Sequence, residues 1–350
     1  MSEKVPVAVL GATGAVGQRF VQLLEGHPWF ELAELAASDR SAGKPYREAC
    51  AWRLAGAPPS RVSDALVTGC EGPFRSRLLF SGLDSSVAGE IEERLAARGH
   101  VVVSNARNHR MDPDVPLLIP EVNPEHLAAL EVQRRRTGGG YIVTNPNCSV
   151  VGLAMALAPL HRAFGIEAVA VVTLQALSGA GYPGVASLDI ADNVIPYVGG
   201  GEEEKIESEP RRILGRFDGS GFADAPFPIS ASVHRVDVSD GHSMTAFVRL
   251  GRRADPGEAS QALAAFAGEP QRRRLPSAPE RPIHVLGQAD RPQPRLDRDR
   301  ERGMAVSVGR VRQDNVFGLK LEALVHNTIR GAAGAAILNA ELLHARGLLP

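Results

Sequence analysis

The segment VPVAVLGATGAVG, residues 5–17, sets an apolar run against three glycines, Gly11, Gly14 and Gly17. The run has the make-up of a buried strand, and Val16, Phe20, Leu23 and Leu24 after it recur at helical spacing. Strand, glycine turn and helix in that order suit a dinucleotide. The glycines permit a tight turn, bring backbone N–H groups against a pyrophosphate and let the helix pack closely on the strand, while the helix N-terminus stabilises the negative charge. The spacing is GxxGxxG, a variant of GxGxxG, and Thr13 adds a hydroxyl donor. Gly11, Thr13, Gly14, Ala15, Val16 and Gly17 are therefore the expected cofactor contacts. The plainer alternative is a ligand-free glycine turn in an α/β domain.

The same alternation continues through the first half of the chain. Residues 32–37, 78–80, 101–104 and 142–144 read as short buried strands between amphipathic helices, the pattern of a parallel sheet covered by helices. The second half changes to period-two runs at 230–238, 244–250, 304–311 and 317–325, which predict an antiparallel sheet. The expected fold class is α/β, a Rossmann-type parallel-sheet domain plus an α+β domain with a mostly antiparallel sheet. Residues 1–148 form the dinucleotide-binding domain and 149–326 the second domain. An alanine- and leucine-rich helix over 329–347, within a C-terminal segment 327–350, is expected to return to the first domain. The arginine- and proline-dense stretch 271–302 reads as an exposed arm or loop.

A chain of 350 residues exceeds one ordinary core and implies two domains. Hydrophobic residues at 44% and charged residues at 23% suit a folded enzyme, and a net charge of -1 gives no electrostatic reason to expect nucleic acid or an anionic membrane. The longest apolar stretch, 150–160, is well short of the roughly 20 residues that span a bilayer. A cytoplasmic protein with no membrane partner is expected. Its cysteines, Cys50, Cys70 and Cys148, are too sparse for a disulfide framework and too far apart for a metal knuckle. No metal is expected, and a thiol is free to act as a nucleophile.

Cofactor choice is read after the second strand, in SDRSAGK, residues 38–44. Asp39 favours a free ribose 2'-hydroxyl, whereas Ser38, Arg40, Ser41 and Lys44 suit a 2'-phosphate. The balance favours NADP. Cys148 follows an Asn-Pro-Asn turn and opens a long apolar helix, a position that stabilises a thiolate. Position alone leaves a catalytic thiol and a small core residue both open. Of ten histidines, His242 stands out in a polar turn between two long strands, with His109 and His326 as the other candidate bases. Arg235 and Arg110 are either surface cations or planar forks for an anionic substrate.

Taken in order, GATGAVG (11–17), SDRSAGK (38–44), NPNCS (145–149), TLQALSGAG (173–181), GGEEEK (200–205), RVDVSDGH (235–242) and HNTIRGAAG (326–334) span nearly the whole chain and resemble aspartate-semialdehyde dehydrogenase, in its archaeal and fungal-type branch. The resemblance implies that Cys148 forms an acyl thioester, that His242 is the acid/base and that Gln175 orients the substrate. It implies Arg235 for the substrate carboxylate and Glu202 for its ammonium, with the choice among Glu202, Glu203 and Glu204 open. Lys205 and Arg110 would bind phosphate, and Asn147 would join the substrate site. Ser81, Gly82 and Leu83, with Ser178, Gly179, Gly181, Asn327 and Thr328, would surround NADP. Gly82 and Asp84 stand where relatives often carry alanine and proline.

The implied reaction reduces L-4-aspartyl phosphate to L-aspartate 4-semialdehyde and phosphate, a step toward lysine, methionine and threonine. Aspartyl phosphate, aspartate semialdehyde and phosphate are the implied small-molecule partners, and the second domain is implied to build a homodimer or homotetramer. The rival readings are reduction of another activated acyl group, such as malonyl-CoA or N-acetylglutamyl phosphate, and a dinucleotide sensor without catalysis. An ammonium ligand beside a phosphate pocket argues against a coenzyme A thioester, and Cys148, Gln175 and His242 together argue against a sensor.

Overall fold

A computed structural model describes residues 3–350, so Met1 and Ser2, which open the expected first domain, lie outside the described residues. Strands β1 (Val5–Leu10), β2 (Phe30–Ala37), β3 (Val67–Gly69), β4 (Leu78–Ser81), β5 (Val101–Ser104) and β6 (Tyr141–Thr144) form a parallel sheet in the order 3-2-1-4-5-6. Helices cover both faces, and β4, β5 and β6 are buried throughout, which is why they read as unbroken apolar runs. The three-residue β3 escaped the sequence reading because it is too short to carry a pattern. Strand order reverses between β1 and β4, and ligands of such sheets bind in the crevice at that point. Two glycines meet there. A Cβ on Gly11, whose φ is +71°, would lie 2.7 Å from the Gly82 carbonyl oxygen, and the Gly82 amide donates to Leu10 at 2.9 Å.

The second sheet contains β7 (Ile166–Gln175), β8 (Ile195–Pro196), β11 (Ile229–Arg235), β12 (His242–Leu250), β13 (Ile283–Leu286), β14 (Val306–Asp314) and β15 (Gly318–Val325), while β9 (Arg216–Phe217) and β10 (Phe222–Ala223) form a separate small hairpin. Its order is 13-14-15-12-7-11-8. Most pairs are antiparallel, but β7–β11 and β13–β14 are parallel. The two long strands on either side of the polar turn before His242, β11 and β12, are not paired with each other but flank β7, each paired with it on one side. The apolar helix Cys148–Phe164 lies on one face of this sheet and shares a core with Val169, Val171, Met244, Ala246, Leu321 and Ala323. Full burial of each larger aliphatic side chain contributes roughly 1.5–3 kcal/mol.

Two segments differ from expectation. The C-terminal helix begins only at Gly334 and ends at Ala345, preceded by a π turn, Ile329–Ala333, in which Ala332 leaves helical geometry (φ −153°, ψ −106°). The distortion lies where the chain passes the nucleophile, since a Cβ on Gly331 would stand 2.9 Å from that of Cys148. Beyond it, Ala336, Ile337, Ala340 and Leu343 share a core with Val7, Phe20 and Leu78 of the six-stranded side. The stretch 271–302 is not an exposed arm. It supplies β13 to the second sheet, and Leu275 and Ile283 are buried. Buried Asp297 gathers Arg291 and Arg300 and accepts the Gln293 amide at 2.8 Å. Its arginines are partly neutralised by an interior acid, which composition alone does not reveal.

Candidate active site

Strand β6 ends at Thr144, and Asn147 caps the next helix by accepting the Ser149 amide at 2.9 Å. Cys148 is thus the first helical residue, half-buried, where the helix dipole favours a negative sulfur. Its Sγ lies 3.2 Å from Nε2 of His242. The Ala176 amide donates to the other ring nitrogen, Nδ1, at 3.0 Å. That bond makes Nδ1 an acceptor, so the neutral ring carries its proton on Nε2, facing the sulfur. Burial, with Arg235 and His326 nearby, pushes the imidazole pKa down to about 3. Burial and the Glu202 carboxylate push the thiol up to about 12, against the opposing pull of Arg110, Arg235 and Lys205. Both shifts favour the neutral form of each group.

One end of the second sheet collects the remaining chemistry. Gln175 ends β7 and Arg235 ends β11 directly beside it in register, while His242 opens β12. Arg235 is 4% exposed and donates to the Ala176 carbonyl at 2.5 Å. A Cβ on Gly179 would lie 2.9 Å from both Arg235 Nη1 and His242 Cε1, so this glycine lets the loop after β7 close over both. Asn327 holds the loop, donating to the Ser178 hydroxyl at 2.8 Å and accepting the Gly241 amide at 2.8 Å.

The helix Glu202–Ile213 supplies the charges. Glu202 accepts from Nδ2 of Asn147 at 2.9 Å, from Gln175 at 3.3 Å and from Lys205 at 2.7 Å. Burial works to raise its pKa, but the Lys205, Asn147 and Gln175 donors prevail and hold it below the usual carboxylate range. Its two neighbours face elsewhere: Glu203 accepts the Val233 amide of β11, and Glu204 is exposed. Gln175 also donates to the Ser149 hydroxyl at 2.9 Å. Arg110 enters from the first sheet's side, buried and paired with Glu209 at 2.9 Å.

Cys148, His242, Gln175, Arg235, Glu202, Lys205, Asn147 and Arg110 thus converge. His109 does not; it is occupied by Asp112 and the Gly89 carbonyl. His326 is buried behind His242, 3.7 Å from Asp299. Sequence reasoning missed Glu209, Ser149 and the Ala176 amide. Glu209 left one signal, its place seven residues after Glu202 on the same helical face.

The crevice between β1 and β4 fits a dinucleotide. Gly14 caps the helix Ala15–Leu24 with no side-chain hydrogen bond, leaving the first-turn amides of Ala15, Val16 and Gly17 uncapped for an anion. A side chain on Gly17 would collide with the Gly11 carbonyl and Ala12. Ser38, Asp39 and Arg40 stand exposed just after β2, with Ser41 half-buried beside them. Buried Ser81 ends β4, followed by half-buried Gly82 and Leu83. Ser178, Gly179 and Gly181 come from the loop after β7, and Asn327 and Thr328 from the turn after β15.

Two family models match the chain. A model described as "Semialdehyde dehydrogenase, NAD binding domain" matches residues 6–130, and one described as "Semialdehyde dehydrogenase, dimerisation domain" matches 157–330. The chain is 51% identical to aspartate-semialdehyde dehydrogenase of Methanothermobacter thermautotrophicus, covering 97% of this chain and 99% of the relative. It is 48% identical to that of Schizosaccharomyces pombe, covering 98% and 99%. Among solved structures, aspartate semialdehyde dehydrogenase with NADP from Candida albicans matches with a TM-score of 0.91 at 44% identity, over 99% of this chain and 100% of that one. These likenesses run the full length of both domains, and the chain belongs to the aspartate-semialdehyde dehydrogenase family.

Proposed function

We propose that this chain catalyses the reversible NADP-dependent reduction of L-4-aspartyl phosphate to L-aspartate 4-semialdehyde and phosphate, in the biosynthesis of lysine, methionine and threonine. The observation that carries the reading is the Cys148 sulfur at 3.2 Å from His242 Nε2, inside a ring of anion- and cation-binding side chains. Arg235 pairs with the substrate α-carboxylate and Glu202 with its ammonium, a combination that a coenzyme A thioester does not call for. Gln175 and Asn147 hold Glu202 and the substrate in place. Arg110 and Lys205 receive the phosphate. Residues 1–148 with the segment 327–350 bind the dinucleotide, and 149–326 hold the chemistry and the subunit contact.

Burial and the Glu202 charge keep the thiol protonated; a bound substrate ammonium neutralises that charge, which favours the thiolate where its target stands. The sulfur then attacks the acyl carbon and a thioester forms on Cys148, while the carbon–oxygen bond to phosphate breaks and the phosphate leaves with the bonding pair and the thiol proton, as hydrogen phosphate. Bound NADPH supplies the hydride that reduces this acyl group. Hydride addition leaves an oxyanion whose collapse re-forms the carbonyl and expels the Cys148 thiolate; His242, whose Nε2 proton faces the sulfur, serves as the acid that returns this thiolate to the thiol, its ring drawing the replacing proton from solvent. Helix N-terminal amides beside Cys148 are the natural donors to that oxygen.

The protein acts on small molecules as a homo-oligomer, and we infer a homodimer or a dimer of such dimers built on the second sheet. No helix among the described residues is long and apolar enough to cross a membrane, and the three free cysteines suit a cytoplasmic site. Cys148→Ala tests the core of the reading: phosphate-dependent NADP reduction with aspartate semialdehyde is expected to vanish while NADP binding, followed by fluorescence, stays at its wild-type Kd. Turnover surviving in that variant, or wild-type enzyme that acts on malonyl-CoA but not on aspartate semialdehyde, would reject it.

A further inference from the structure

Glu209 is 2% exposed, and both of its carboxylate oxygens are engaged. Oε1 accepts from Arg110 Nη1 at 2.9 Å, and Oε2 accepts the backbone N–H of Asn147 at 2.6 Å. Arg110 is held a second time by the Asn105 carbonyl, to which Nη2 donates at 2.8 Å. Its Nε is buried and has no partner among the described residues. Buried donors are rarely left unspent, so the unpaired Nε of this clamped guanidinium, close enough to the Cys148 thiol to act on its charge, is free to meet a ligand. Glu209 lies two turns beyond Glu202 on the helix that also carries Lys205. One buried carboxylate therefore ties the arginine to the residue that caps the nucleophile helix.

We propose that Glu209 is a positioning residue for phosphate: it fixes the Arg110 fork in one frame with Cys148, so that the leaving phosphate and the sulfur meet the same acyl carbon. The proposal rests on Arg110 being a phosphate ligand. A charge-free substitution at Glu209 keeps the side chain's size but frees the fork, which lowers affinity for phosphate more than for any other substrate.

The test is steady-state oxidation of aspartate semialdehyde with phosphate and NADP in Arg110→Ala, Glu209→Gln, Glu209→Asp and the Arg110→Ala/Glu209→Gln double variant. Glu209→Gln is expected to raise the phosphate KM roughly tenfold or more, the range for losing a charge-assisted hydrogen bond, with the KM for semialdehyde and for NADP changing less than about threefold. Glu209→Asp keeps the charge but falls one methylene short of spanning both partners, so its phosphate KM should rise too; it carries the test if the glutamine variant does not fold. In the Arg110→Ala background, Glu209→Gln should add little, because the two act through one contact. A phosphate KM that moves no more than the semialdehyde KM, or two substitutions whose effects multiply, would overturn the proposal. An Arg110→Ala enzyme with an unchanged phosphate KM would remove the phosphate reading and this proposal together, whereas a raised KM there with a normal one in both Glu209 variants would remove this proposal alone.

Discussion

Cys148 and Glu202 oppose each other electrostatically: burial and the carboxylate raise the thiol pKa to about 12, and Lys205 and Asn147 keep that carboxylate charged. The reactive form is the thiolate, so removing the negative charge must lower the thiol pKa and raise reactivity at neutral pH. Each unit of lowering raises the thiolate fraction about tenfold while pH stays well below the pKa. In the ligand-free enzyme, Cys148 alkylation by iodoacetamide should climb with pH through 9 without levelling off, and Glu202→Gln should be alkylated faster than wild type at pH 7. A variant alkylated no faster would remove Glu202 from the control of the thiol. Arg40 makes a second prediction. It is exposed after β2, where a guanidinium can meet a 2'-phosphate. Arg40→Ala is expected to raise the KM for NADP about ten- to hundredfold, the worth of a charge-assisted hydrogen bond, and to leave the KM for NAD nearly unchanged. Equal losses with both cofactors would place Arg40 away from the 2' position.

The loop after β7 shows how a backbone segment completes a site that side chains alone leave open. Gly179 passes so close to Arg235 and His242 that one methyl group has no room, and the loop cannot retreat because Ser178 is tied to Ser239 through its amide and to Asn327 through its hydroxyl. Gly179→Ala should therefore displace the imidazole from the sulfur and lower kcat roughly a hundredfold, the cost of misplacing a catalytic group by about 1 Å. Thermal unfolding should change little, and a normal kcat would show that the loop gives way instead. The glycine turn, the cysteine-led helix and five of the six strands of the first sheet were legible in the sequence because each is a local pattern of neighbouring residues. The His242 tautomer, the Glu209 bridge and the parallel pairing of β11 with β7 were not, since they depend on register between segments tens of residues apart. The stretch 271–302 misled for a related reason: its arginines look solvent-bound until Asp297 is found among them.

The seven-stranded sheet has one face under the helix Cys148–Phe164 and another that keeps apolar side chains in water. On the interior strand β7, Val172 is 36% and Leu174 41% exposed, beside Ser232 of β11 and Thr245 of β12. Antiparallel sheets often leave one face wet, but that face is then polar. Apolar residues at the middle of a broad sheet are better accounted for by a second copy covering them, and a stable contact needs about 800 Å² from each partner, which a face of this breadth can supply. Val172→Asp/Leu174→Asp should shift the protein toward monomers in sedimentation velocity, and its melting temperature should lose the dependence on protein concentration that a dimer shows. The consequence for catalysis follows from the topology. Strand β7 ends in Gln175 and lies next to Arg235 and His242, whereas the dinucleotide crevice belongs to the other sheet. A monomeric variant is therefore expected to bind NADP with its wild-type Kd while kcat falls; sedimentation identical to wild type would mean that subunits meet through some other surface.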